Sequence, residues 1–281
     1  MAMNTAANPV VNTAAQAKGS FWRDPSLPFI ETRAVSGSRA CYDPHTHATF
    51  SIGTVLNGQA QYLNRGRRVS AGAGSVVIIN PGDVHACNPR DDSVWAYRML
   101  FIDSAWLAGV QREIGVSLHQ DLQMFSQSLS LDSRVFQSLN YLLAGLWQPA
   151  ERLAKESAML EFLIRLHQEF DTVKLDLKSN HRLNRAADYI AAHCVEDIAL
   201  QDICAASQLS RSYLIRAFKQ QYGMTPHAFL LNQRVQRAQG LLKKGRAIVD
   251  VAADCGFADQ AHFQRVFKRH VAATPGQYFK K

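Results

Sequence analysis

Two stripes of side chains in the last third of this 281-residue chain carry groups able to read the edges of base pairs. Ser212, Ile215, Arg216 and Lys219 are spaced i, i+3, i+4, i+7, and Ala261, Gln264, Arg265 and Lys268 repeat that spacing 49 residues later. On a helix this spacing places four side chains on one face. An arginine guanidinium can donate to O6 and N7 of one guanine, a glutamine amide pairs with N6 and N7 of adenine, and an isoleucine or alanine can touch a thymine methyl. Lys219 and Lys268, one turn further on, suit phosphates. Arg211 and Gln260, at the helix starts, complete a set of ten expected DNA contacts. A single arginine of this kind is more often a surface ion pair; duplication of the whole stripe favours double-stranded DNA as the partner.

Such stripes need a scaffold, and the scaffold is duplicated too. Arg216-Ala217-Phe218-Lys219 is followed by Thr225-Pro226 and Phe229, and Arg265-Val266-Phe267-Lys268 by Thr274-Pro275 and Tyr278. Leu214, Ala217 and Phe218 form an inward stripe matched by Phe263, Val266 and Phe267. Ser210 and Asp259 stand where an N-cap oxygen would accept from a free backbone N–H. Each copy reads as a short helix, a tight turn and a second, basic helix. Two such helices about 34 Å apart would meet successive major grooves. Because Ser212, Ile215 and Arg216 differ in chemistry from Ala261, Gln264 and Arg265, the expected site is asymmetric and bipartite.

Charge is partitioned to match. The chain carries a net +8, yet residues 178–281 hold 16 Lys+Arg against 7 Asp+Glu, and residues 1–177 hold 15 against 16. A near-neutral part joined to a basic part points to a polyanionic partner for the latter. The length suits two domains. Five scattered cysteines without a C-x-x-C pair argue against disulfides and thiolate metal clusters. Residues 1–20, rich in Ala, Asn and Thr, read as a flexible arm and not as a secretory signal. No apolar run is long enough to span a membrane, and a cytoplasmic location is expected.

Between arm and repeat the periodicity changes once. Residues 29–103 read as short strands, with alternation over Thr49–Leu56 and Gln59–Leu63, turns at Asn57-Gly58 and Asn64-Arg65-Gly66-Arg67, a buried strand at Val76–Ile79, and another over Val94–Ile102. This spacing favours a small barrel or jelly roll able to enclose a pocket. Residues 104–170 then turn helical. Val135, Leu139, Leu142 and Leu143 share one face, and Leu153, Leu160 and Ile164 line another with Leu163, Leu166 and Phe170 as its shoulder. These helices suit packing on the barrel or pairing with a second copy of the chain. The expected fold class is two-domain α+β: a β-barrel with following helices over 21–170, a linker over 171–181, and an all-α domain of two helix-turn-helix units over 182–281.

The run Asp250-Val251-Ala252-Ala253-Asp254-Cys255-Gly256-Phe257, continuing through Phe263-Gln264-Arg265-Val266-Phe267-Lys268 to Thr274-Pro275 and Tyr278, closely resembles the signature of the AraC/XylS transcriptional regulators, with the match covering residues 184–279. The resemblance implies two helix-turn-helix units bridged by a long helix, here His227–Lys243. Two departures stand out: Gln208 where the family often has glycine, and Ala272 where the first unit has Gly223. If Gln208 must adopt positive φ, the cost is about 1 kcal/mol.

In the front part, His45-Thr46-His47 and Pro81-Gly82-Asp83-Val84-His85 resemble the two motifs of cupin barrels. In metal-binding cupins two histidines, an acidic residue and a further histidine converge on one ion, and imidazole suits zinc, iron or nickel. Ala48–Leu56 contains no Asp or Glu, so the acidic position is lost and no metal or other cofactor is expected. The family resemblance implies instead a cupin-like barrel that binds a small-molecule effector. His45, His47, Tyr62, His85, Trp95 and Tyr97 are the candidate effector contacts, since aromatic walls with few polar tips describe most ligand sites; Arg98 is a weaker candidate. The reading is a sequence-specific, effector-responsive activator, not an enzyme. Its rivals are a metal-dependent cupin enzyme fused to a DNA-binding domain, with His45, His47 and His85 as ligands, and a regulator whose barrel serves only assembly.

Overall fold

The computed structural model describes residues 19–90, 94–117, 120–173 and 180–279. Most of the expected arm, residues 1–18, and most of the expected linker, residues 174–179, lie outside them. The strands are β1 Ser20–Trp22, β2 Ile30–Ser38, β3 Phe50–Asn57, β4 Gln59–Asn64, β5 Arg67–Gly72, β6 Val76–Ile79, β7 His85–Pro89, β8 Trp95–Ile102, β9 Met124–Phe125, β10 Leu129–Ser130 and β11 Thr172–Val173. The front helices are α1 Ser104–Glu113, α2 Ser133–Leu146 and α3 Arg152–Glu169. The back helices are α4 His181–Ala192, α5 Leu200–Ser207, α6 Arg211–Tyr222, α7 Pro226–Lys243, α8 Ile248–Asp254, α9 Gln260–Val271 and α10 Pro275–Phe279.

Two larger sheets form the barrel of the front domain, one ordered β1-β2-β8-β3-β6-β10 and the other β5-β4-β7, and β11 and β9 form a two-stranded sheet beside them. Asn57-Gly58 does not close a β3–β4 ladder. With Gly58 at φ +80°, the chain passes from the large sheet into the small one, because β3 pairs with β6 and β8 whereas β4 pairs with β5 and β7. Asn64-Arg65-Gly66-Arg67 does close a hairpin, with Arg65 and Gly66 both at positive φ, as a two-residue turn between twisted strands requires.

The four inner strands of the large sheet, β2, β8, β3 and β6, each serve two cores. Ile52, Ile78, Leu100 and Ile102 face α1–α3, and Val55, Val77, Ile79, Tyr97 and Met99 face the barrel interior. Burial on both faces is why Val76–Ile79 is uniformly apolar. Gly53 lacks a Cβ because one placed there would lie 2.0 Å from Met99 Sδ.

Packing separates the two stripes of α3, and the expected linker is corrected. On α3, Met159, Phe162, Leu163 and Leu166 are buried, whereas Leu153 is 71% exposed and Ile164 is exposed, so the shoulder residues Leu163, Leu166 and Phe170 pack on the barrel and Leu153 and Ile164 face outward. A helix of 18 residues has two apolar faces if its sequence allows, and only packing chooses between them. After α3, β11 pairs with β9, so residues 172–173 belong to the front domain and not to a linker.

The back domain holds two small cores threaded by α7. Leu230 joins Leu183, Ile190, Leu214 and Phe218 of the first unit, and Val235, Ala238 and Leu242 join Phe263, Val266, Phe267 and Tyr278 of the second. Pro226 and Pro275 open α7 and α10 at the position where a missing N–H costs nothing. No helix among the described residues is long and apolar enough to cross a membrane.

Candidate functional site

The two basic helices, α6 and α9, are presented as the inward stripes dictate. Leu214, Phe218, Phe263 and Phe267 are fully buried. Ser210 Oγ accepts from Tyr213 N and Asp259 Oδ1 from His262 N, so both helices start on the expected caps. Arg211, Ser212, Ile215, Arg216 and Lys219 are all exposed on α6, as are Gln260, Ala261, Gln264, Arg265 and Lys268 on α9. The Arg211 guanidinium donates to Gln201 at 3.2 Å. Gln208 and Ala272 adopt left-handed φ of 54° and 49° despite their side chains, matching Gly256 at 74° and Gly223 at 69°. The first unit thus puts glycine in its second turn, and the second unit in its first.

The histidines of the front domain come together through backbone bonds. His45 and His85 form an isolated bridge, each N–H donating to the other's carbonyl at 3.0 Å, and Gly82 N donates to the His47 carbonyl at 3.0 Å. The ring centroids of His45 and His85 are 4.3 Å apart, and those of His47 and His85 4.7 Å. Burial, reinforced by the neighbouring His47, holds His45 down to about 3; burial holds His47 down to about 4; burial with both neighbours holds His85 well below the ordinary range. All three rings are neutral at physiological pH.

These histidines line a cavity of about 290 Å³. Trp95 and Tyr97 also line it, and the Tyr97 hydroxyl is bonded to that of Tyr42. Tyr62, proposed from sequence with them, lies outside this wall. Its hydroxyl donates to the Ile78 carbonyl at 2.9 Å and accepts from Asn64, so the ring is fully buried core. Arg98 is not part of the wall either; it alternates with Tyr97 and Met99, which are.

The cavity has a wall that sequence reasoning missed: the back domain. Asn232, Gln236 and Lys243 of α7, His270 and Val271 of α9, and Tyr278 of α10 close it opposite the barrel. Polar bonds dock the two parts. Asn232 Nδ2 donates to Thr46 Oγ1 at 2.8 Å and Gln236 Nε2 to the Thr46 carbonyl at 3.0 Å. Asp43 pairs with Arg269 at 2.8 Å. Glu31, buried, receives Arg23 Nε at 2.6 Å and Lys243 Nζ at 2.9 Å. Arg33, also buried, donates to the carbonyls of Val271 and Ala272, the last acceptors of α9, where a cation also meets the negative end of the helix dipole. The available signal was Glu31 and Arg33 alternating on one face of a strand whose first four residues are all buried, since charges at inward positions are almost always paired.

The arrangement agrees with what known proteins resemble it. Residues 32–163 match the family model described as AraC-like ligand binding domain, and residues 203–281 match one described as helix-turn-helix domain. The uncharacterized HTH-type transcriptional regulator YbfI of Bacillus subtilis is 28% identical over 242 residues, covering 85% of this chain and 87% of its own. The HTH-type transcriptional activator RhaS of Klebsiella pneumoniae is 24% identical over 245 residues, covering 84% and 87%. The crystal structure of ToxT from Vibrio cholerae shares the fold over 89% of this chain and 96% of its own, at TM-score 0.56 and 14% identity. With a ligand-binding segment and a helix-turn-helix segment matched in the order of its two domains, the chain belongs to the AraC family of transcriptional regulators.

Proposed function

We propose that this regulator is an activator that reads an asymmetric, bipartite DNA site with α6 and α9 and takes its effector into the cavity between the two domains. The observation that carries the reading is the shared wall: a molecule among His45, His47 and His85 also lies against α7, α9 and α10. A ligand shifts an equilibrium only by its difference in affinity for the two states. One that touches both domains has such a difference for any change in their docking. Arg216 and Arg265 are the base readers, Ser212, Ile215, Ala261 and Gln264 supply the flanking contacts, and Lys219 and Lys268 bind phosphates. The positive sign of regulation rests on the kinship with RhaS, an activator. A second copy of the chain fits the outward stripe of α3 at Leu153 and Ile164.

Footprinting with base-substituted operators tests the assignment. Arg216→Ala and Arg265→Ala are expected to weaken binding by about 1–3 kcal/mol each and to relax specificity in different halves of the site. Unchanged preference in both would defeat it. Filling the cavity with Val77→Trp is expected to abolish the effector response of a reporter while leaving DNA affinity within about twofold, since Val77 is a wall residue remote from both reading faces.

A further inference from the structure

The two helix-turn-helix units touch one another directly, just beyond the ends of their first helices. In the first unit α4 stops at Ala192, and in the second α8 stops at Asp254. A Cβ on Gly256 would lie 2.4 Å from the Val195 carbonyl oxygen and 2.9 Å from Val195 Cα. Gly256 has φ +74° and no side chain, so the two backbones can approach this closely. One side chain of the bridging helix closes the seam. Arg234 of α7 donates from Nε to the Cys194 carbonyl at 2.7 Å and from Nη2 to the Glu196 carbonyl at 2.8 Å. A cation there also faces the negative end of α4. The same guanidinium carbon lies 6.0 Å from the centre of the Phe257 ring in the second unit, at the limit of cation–π attraction.

Contacts run from this seam to both basic helices. On one side Phe257 packs against Phe263 of α9, with ring centroids 5.1 Å apart. On the other, Asn184 Oδ1 of α4 accepts from Gln221 Nε2 and from the Tyr222 hydroxyl of α6, both at 2.9 Å. Apolar packing attaches each unit to α7, Leu230 in the first core and Val235, Ala238 and Leu242 in the second. Burial of that kind is non-directional and tolerates a small rotation. Hydrogen bonds from one planar guanidinium to two carbonyls are directional, and turning one unit against the other breaks them. Arg237 adds a further tie, donating to the Asp254 carbonyl at 3.2 Å and holding the end of α8 to α7.

We infer that Arg234 is a positioning residue for DNA reading: with Gly256 and Phe257 it locks α6 and α9 at one separation and one rotation, and so fixes the half-site spacing that the protein accepts. This rests on the reading of α6 and α9 as the two DNA-contacting helices. Half-sites met in successive major grooves lie about 10–10.5 base pairs apart. One inserted base pair moves one half by about 3.4 Å and turns it by about 34°. Units hinged at α7 could follow that turn; units locked at the seam cannot. Arg234 thus sets specificity for spacing while its Nε and Nη2 are engaged with protein carbonyls.

The probe is a duplex of about 30 base pairs, roughly three helical turns, selected from a random library with the full chain. Footprinting locates its protected segments, and fluorescence anisotropy reads binding as one or two base pairs are inserted or removed between them. Wild type is expected to weaken about tenfold at a change of one base pair, the scale of one mismatch. Arg234→Met is expected to bind the parent duplex within about threefold of wild type and to lose only about twofold at the altered spacings, with Arg234→Lys between the two. Base preference inside each segment should stay as it was. If Arg234→Met does not fold, Phe257→Leu carries the same comparison. A flat wild-type profile, a variant profile as sharp as that of wild type, or a variant that weakens every spacing alike overturns the inference while a bipartite footprint stands. A single protected segment, or unchanged base preference in both Arg216→Ala and Arg265→Ala, defeats the reading of α6 and α9 itself, and the inference with it.

Discussion

The first helix-turn-helix unit closes its recognition helix on Gly223 and the second closes its own on Ala272, and the barrel meets the two ends differently. At Gly223 a Cβ would come within 3.2 Å of the Val84 side chain, an apolar graze from the loop beside the histidines. At Ala272 the backbone carbonyl accepts from buried Arg33 at 3.1 Å, beside the bond to Val271. The cavity touches residues of α7, α9 and α10, and none of α4, α5 or α6. Two units of one architecture are thus coupled unequally to the cavity: the second forms part of its wall, and the first rides on α7. Glycine placement obeys the same asymmetry. Gly256 is needed because a Cβ there would lie 2.4 Å from the Val195 carbonyl, and Gly223 because Val84 is close. Gln208 and Ala272 share the left-handed conformation. What retains glycine in one unit and releases it in the other is the approach of a neighbouring segment, with the backbone angle a secondary cost.

The largest test of this asymmetry is acidification. His45, His47, His85 and His270 all sit where the second unit docks, and burial lowers the folded-state pKa of each. As pH falls below the ordinary histidine value near 6.5, the unfolded or undocked state takes up protons first. Stability is therefore level above that value and declines below it, through about 4 for His47 and about 3 for His45. Each histidine contributes a slope of up to about 1.4 kcal/mol per pH unit. Hydrogen exchange between pH 7 and 5 is expected to show α9 and α10 losing protection before α5 and α6; simultaneous loss would contradict unequal docking.

Next in size are the core positions. Phe263→Ala should cost about 3–5 kcal/mol and Leu214→Ala about 2–5 kcal/mol, read from thermal unfolding of the full chain. Each should abolish protection of its own footprint half first. Arg33→Met removes a charged donor from two carbonyls and should cost about 2 kcal/mol. It should also reduce the effector response while leaving the half-site read by α6 as it was; an equal effect on both halves would show that the clamp does not discriminate between the units. The smallest effects have opposite signs. Gly223→Ala should destabilise by about 1 kcal/mol, through positive φ and the Val84 contact, and Ala272→Gly should stabilise by up to about 1 kcal/mol. Equal and opposite changes would remove the argument from close approach, since positive φ alone gives that result.

Much of the exposed basic face of α6 and α9 was legible because it depends on short-range order. Helical spacing alone separates Leu214 and Phe218 from Arg216 and Lys219, and cap chemistry places Ser210 and Asp259. The strands of the barrel were legible for the same reason, down to β6, whose uniform apolarity reflects burial on both faces. The sequence left matters open where two solutions satisfy one local pattern. Leu153, Leu160 and Ile164 make as good a stripe as Met159, Phe162, Leu163 and Leu166, and the barrel chose the latter. Asn57-Gly58 is a good turn whether it closes a hairpin or moves the chain between sheets. Tyr62 has the composition of a pocket residue, and only the nearby Ile78 carbonyl makes it core.

By itself the sequence determined the duplicated basic stripes, their caps and apolar backs, the division of charge between the two parts, and the two histidine motifs, because each is written in residues a few positions apart. Tertiary structure decided which parts of the chain share a cavity. Arg33 and Ala272 are 239 residues apart, and Thr46 and Asn232 are 186 apart. No periodicity reports such distances, since the contacts form only when two separately folded surfaces dock. That docking turns a barrel pocket into a cavity between domains, with the second helix-turn-helix unit as one of its walls.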